Sequence, residues 1–111
     1  MNPKVFVVQK IDAEKSIESA STHGDLTFIM EGLVDLRNPV WVDVVRERLE
    51  GFRDVDFLLL SGNKLLNAVS AGILAMNPKV RVVNFLHWFG PYNTYVIHQW
   101  RKSNLEKKGG E

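Results

Sequence analysis

The sequence predicts an α/β fold, a three-layer α/β/α sandwich around a mixed five-stranded sheet. Three observations point there. Short runs rich in Val, Ile, Leu and Phe alternate with segments of helical period, the pattern of strand–helix–strand units whose right-handed crossovers make the strands parallel. The runs at 5–8 and 57–60 are apolar without interruption, as in central parallel strands covered on both faces. Two further strand-like runs, 80–88 and 94–100, are separated by only five residues, a length that suits an antiparallel hairpin. Four parallel strands with an antiparallel C-terminal edge hairpin follow, in the order 2-1-3-4-5.

Val5-Phe6-Val7-Val8 is β-branched and aromatic and reads as a buried strand. Residues 13–19 form a short helix that Asp12 could cap, although its apolar stripe is thin. Gly24-Asp25 breaks the chain before a second strand over 26–30. Asn38-Pro39 opens the first long helix, since Asn caps well and Pro suits the first helical position. Val40, Trp41, Val44, Val45 and Leu49 recur at helical spacing, Asp43, Arg46, Glu47, Arg48 and Glu50 fall on the other side, and Gly51 supplies the stop. Residues 55–60 are the third strand. A helix over 65–76 follows, ended by Asn77-Pro78. Nine of its twelve residues are Leu, Val, Ile, Ala or Met, and Asn63, Asn67 and Ser70 form one narrow polar stripe at i, i+4 and i+7. Residues 1–100 thus make one domain, with 101–111 a basic flexible tail. The whole resembles a small Rossmann or flavodoxin-like sheet.

The 111 residues suit a single core, and the 45% apolar and 24% charged content is that of an ordinary globular chain. With no cysteine there is no disulfide scaffold, thiolate nucleophile or cysteine-bound metal. No apolar run approaches the roughly 20 residues that span a bilayer, and no signal-peptide core follows Met1. A cytoplasmic setting is expected. The net charge of +1 conceals a polarity: residues 1–56 hold seven Lys/Arg against eleven Asp/Glu, and residues 57–111 hold seven against two. No acid occurs between Phe57 and Leu105, which reflects either core content or a surface tolerant of anions.

Gly24-Asp25-Leu26-Thr27-Phe28-Ile29, then Asp56-Phe57-Leu58-Leu59-Leu60-Ser61-Gly62, the Ala-rich helix, Leu86-His87-Trp88 and the return through Tyr95-Val96 resemble a family of small proteins of tailed bacteriophages. The resemblance covers most of residues 5–98. It implies an accessory viral protein, acting in the host cytoplasm on a host partner, and transfers no catalytic residue. Phe89-Gly90-Pro91-Tyr92 departs from the charged turn expected there.

Candidate sites are few. Ser61, Gly62, Asn63 and Lys64 follow a central strand and open a helix. N–H groups at a helix start attract anions, and strand carboxyl ends gather ligands. The same residues are also ordinary turn and cap chemistry, and they form neither a P-loop nor a dinucleotide fingerprint. Phe89, Pro91 and Tyr92 place aromatics in a loop, where packing alone explains them poorly, and so mark an interaction surface. A five-residue hairpin would set His87 opposite Tyr95 and His98 opposite Asn84. The two histidines then fall on opposite faces, which argues against a shared metal. His23 reads as plain surface. No metal centre and no cofactor is expected.

The leading reading is a non-enzymatic binding or interaction module, homodimeric through its apolar second helix or through the Phe89–Asn93 hairpin beside the edge strand. A binder of a small anionic, nucleotide-like ligand at residues 61–64 stands second. An enzyme stands third, for want of a triad, metal spacing or paired acids, although Glu31 and Asp35 could reach the same mouth. Nucleic-acid binding is weakly supported, and no membrane association is expected.

Overall fold

A computed structural model describes residues 2–10 and 15–102. Five strands, β1 Lys4–Lys10, β2 Asp25–Glu31, β3 Phe57–Leu59, β4 Val82–Phe89 and β5 Thr94–Arg101, form one sheet. Three helices join them: α1 Lys15–Ser19, α2 Val40–Arg48 and α3 Lys64–Met76. The sheet order is β2-β1-β3-β4-β5. β1 pairs in parallel with β2 and β3, β3 in parallel with β4, and β5 runs antiparallel to β4. The mixed sheet expected from the alternating runs is present, in the expected order. Asp12, the cap expected for the first helix, and the tail beyond Lys102 lie outside the described residues. Arg101 belongs to β5, and Lys102 donates from its ammonium to the carbonyls of Leu74 and Asn77. A cation there favours the negative end of the α3 dipole.

Alternation along β1 divides the core. Phe6 and Val8 face α2 and α3, packing with Trp41, Val45, Leu49, Leu66 and Leu74. Val5 and Val7 face the other way, with Ile17, Ala20, Leu59 and Leu86. β1 is therefore buried on both faces, as its unbroken apolar run requires. Each fully buried Leu or Val contributes roughly 1.5–3 kcal/mol relative to exposure.

Three local features differ from what the sequence pattern predicts. The third strand is shorter than 55–60 because Val55 is exposed and Asp56 is drawn into a polar knot at the amino edge of the sheet. There Asp56, fully buried, accepts hydrogen bonds from the backbone N–H of Lys4 (2.9 Å) and Arg53 (2.8 Å) and from the Arg53 guanidinium (2.9 Å). Asn84 completes the knot by donating to the Asp56 carbonyl. Gly51 is not a left-handed stop: only Gly32, Gly62 and Asn93 have positive φ among the described residues. α2 ends instead at Arg48, with Leu49 as its cap and the chain turned by the Glu50–Glu47 and Phe52–Leu49 backbone bonds.

The third difference is the hairpin register. Phe89 pairs with Thr94, so the connection is four residues, closed by the Gly90–Tyr92 3₁₀ turn and Asn93 in the left-handed region. This is one residue shorter than expected. Every β5 residue is thereby moved to the opposite face. His87 lies opposite Val96 and His98 opposite Phe85, which puts both histidines on the same face.

Candidate functional site

The parallel strands all end at one edge of the sheet, and the order β2-β1-β3 reverses direction between β1 and β3. Ligands of open α/β sheets favour that place. Gln9, near the end of β1, and Ser61, just after β3, occupy it. Gln9 is only 3% exposed and organises the turn into α3. Its backbone N–H donates to the Ser61 hydroxyl (3.2 Å), which donates to the Gln9 carbonyl (2.9 Å). Its amide oxygen accepts from the Asn63 N–H (2.7 Å), and its amide nitrogen donates to the Gly32 carbonyl (2.8 Å).

Asn63 caps α3 by accepting from the Leu65 N–H at 2.8 Å. Asn67 folds back from the helix, accepting from the Ser61 N–H and donating to the carbonyls of Ser61 and Asn63. Gly62 bridges the two halves at φ 76°, and a Cβ on it would meet the Gln9 side chain. The geometry brings Ser61, Gly62 and Asn63 together, but around Gln9 and Asn67 rather than around an open cradle. Three N–H groups of the turn, those of Ser61, Asn63 and Leu65, are committed to acceptors within the chain. Lys64 stands exposed beside them.

Three hollows border this edge. A notch of about 290 Å³ lies between Gln9, Leu36, Asn63 and Leu66, with Leu33 on its rim. A groove of about 360 Å³ on the α1 side is lined by Ile17, Ser61, His87, Trp88 and Tyr95. Another, of about 370 Å³ on the α3 side, is lined by Leu60, Phe85, His87 and His98. The hairpin aromatics come together as the sequence suggests: Phe89 and Tyr92 have ring centroids 5.2 Å apart, Tyr92 is 77% exposed, and Pro91 is exposed beside them. Trp88 meets Tyr95 edge-on at 4.9 Å on the opposite face.

The acids considered for catalysis do not converge. Glu31 is exposed at the end of β2. Asp35 is exposed and paired with Arg37, 3.0 Å from its Nε. That guanidinium, then the Arg37 backbone N–H, hold the Asp35 carboxyl below the usual carboxylate range. Such shifts favour the ionised form, the reverse of what a general acid requires. Among the described residues no three His, Cys, Asp or Glu side chains cluster as metal ligands, and every buried side-chain nitrogen and oxygen has a partner.

The profile of the Phage Pam3 gp32-like proteins matches residues 3–102, which is nearly all of the described chain. The chain belongs to the Phage Pam3 gp32-like protein family. It is thus a member of a phage protein family, as the resemblance in its strands and turns implied. Searches of the curated proteins and of the solved structures found no match. Among the described residues of this family member no helix is long and apolar enough to cross a membrane.

Sequence reasoning missed Gln9 and Asp56 as organising residues. Gln9 ends a run of apolar strand residues, and an unexplained amide in that position is the one signal that could have revealed it.

Proposed function

We propose that this phage protein is a non-enzymatic interaction module, acting in the host cytoplasm as a homodimer joined through α3. The observation that carries this reading is the orientation of α3. Its polar stripe points inward: Ser70 is buried and donates to the Leu66 carbonyl, and Asn67 serves the turn at Ser61. Its solvent side presents Leu65 (49% exposed), Ala68, Gly72, Ala75 and Met76 (86% exposed), and no charged residue occurs between Lys64 and Lys79. A solvated helix normally shows the opposite arrangement.

A two-fold axis near Gly72 would set the small residues of two antiparallel helices against each other, with Leu65 and Met76 closing the ends. Two-fold pairing of one patch against itself is the commonest soluble assembly. A Cβ at Gly72 would touch nothing within 4 Å in its own chain, so the glycine answers no packing need inside the monomer. The Phe89–Tyr92 hairpin remains for a host protein. The strand order and the helices on both faces support reading the fold as a three-layer, flavodoxin-like sandwich.

Sedimentation equilibrium across micromolar concentrations tests the assembly. A dimer mass is expected, and Ala68→Glu should yield a monomer with unchanged far-UV circular dichroism. A monomer mass for the unaltered chain at every concentration overturns the reading. Gly72→Ala adds a second check. In a monomer it should stabilise the helix by about 0.5–1 kcal/mol, whereas close helix packing predicts a weakened dimer.

A further inference from the structure

We infer that His87 and His98 form a two-imidazole chelate for a divalent transition-metal ion such as Cu²⁺ or Zn²⁺. The Phe89–Thr94 register puts both on the α3 face of adjacent strands, as diagonal neighbours. Their ring centroids are 6.5 Å apart with the planes inclined at 48°. With metal–nitrogen bonds of about 2.0–2.1 Å and nitrogen–metal–nitrogen angles of about 90–110°, two imidazoles on one ion have centroids roughly 4.5–5.3 Å apart, so the two exposed rings would have to turn toward each other by about 1–2 Å. Both side chains are exposed, and neither ring has a hydrogen-bond partner among the described residues that would have to be broken.

The surroundings select the kind of ion. The groove that the pair lines is otherwise apolar, with Leu60 and Phe85 as its other walls. Imidazoles without carboxylates suit Cu²⁺, Ni²⁺ or Zn²⁺, whereas Ca²⁺ and Mg²⁺ require oxygen donors. The paired β4 and β5 backbones hold the two side chains side by side, so the second imidazole binds intramolecularly once the first has bound. Linked sites of this kind gain about 10²-fold or more over single ones. Among the described residues no carboxylate or carbonyl bonds either ring, so the affinity expected is that of a bare chelate, without the roughly 10–100-fold that outer-shell partners add. Two ligands leave coordination positions open toward the groove for water or a donor from another molecule.

The test is titration of the untagged chain with CuCl₂ and with ZnCl₂ in a weakly coordinating buffer at neutral pH, followed by calorimetry. One ion per chain is expected, tighter for Cu²⁺ than for Zn²⁺. H87Q and H98Q should each raise Kd by about 100-fold, and the double variant should add little, because either loss already destroys the chelate. H23Q is the control: His23 lies against Phe57 and Tyr95, apart from the pair, and its loss should change nothing. In the unaltered chain Zn²⁺ should shift the imidazole resonances of His87 and His98 together and leave those of His23 in place. Absence of binding, equal small losses in all three single variants, or resonance shifts at only one of the two histidines would overturn the chelate.

Discussion

Asp56→Ala should destabilise the domain by about 2–4 kcal/mol, because the fully buried carboxylate is the acceptor for several donors at once, each costing about 1–3 kcal/mol when buried and left unpaired. The substitution strands several groups at once. The Arg53 guanidinium bonds the carboxylate through both Nε and Nη2, and the backbone N–H groups of Lys4 and Arg53 aim at its two oxygens. Lys4 begins β1 and Asp56 precedes β3, so one carboxylate ties the starts of the two central strands. A buried donor left without an acceptor costs about 1–3 kcal/mol. Asp56→Asn keeps the volume and one acceptor oxygen, and its loss should be smaller. Urea denaturation checks this: the midpoint should fall steeply for Ala and less for Asn, with the slope unchanged. Equal midpoints for Asp56→Ala and the unaltered chain would show that the knot contributes nothing.

The same residue shows where the sequence is readable and where it is not. Phe57, Leu58 and Leu59 announce a buried strand by composition. That Asp56 is its anchor depends on Arg53 and on Lys4, 52 positions away, and no local pattern reports such a pairing. The sheet order was legible because each crossover leaves few right-handed alternatives. The histidine pair was not legible. Its face depends on a single fact, whether Phe89 pairs with Thr94, and a loop one residue longer would have separated the rings. The stripe on α3 is an intermediate case. Periodicity shows that Asn67 and Ser70 share a side but not which side is buried. They turn inward at little cost because each finds its partners nearby, Ser70 on the Leu66 carbonyl and Asn67 on Ser61. The turn at 61–64 was legible as a turn, and its dependence on Gln9 was not.

Gly62→Ala should be nearly as damaging as the loss of Asp56, at about 3 kcal/mol, for two separable reasons. A left-handed backbone costs a non-glycine residue roughly 1–2 kcal/mol, and φ here is 76°. The added methyl would also lie 2.2 Å from the Gln9 amide oxygen and 2.6 Å from its Cβ, separations at which one side must move. The Gln9 side chain is buried and held at both ends by Asn63 and Gly32. Displacing it breaks two hydrogen bonds and leaves their partners to water, at about 1 kcal/mol each. The two causes part in a double-mutant cycle. Gln9→Ala removes the obstacle together with its hydrogen bonds. In that background Gly62→Ala should cost only the backbone term, leaving a coupling of about 1–2 kcal/mol between the positions. Thermal or urea unfolding of the four proteins gives the value. Additive losses would mean that the backbone angle alone requires glycine and that Gln9 can move aside. A coupling of the expected size would establish that the Gln9 side chain, and not the backbone angle alone, requires glycine in the turn between β3 and α3.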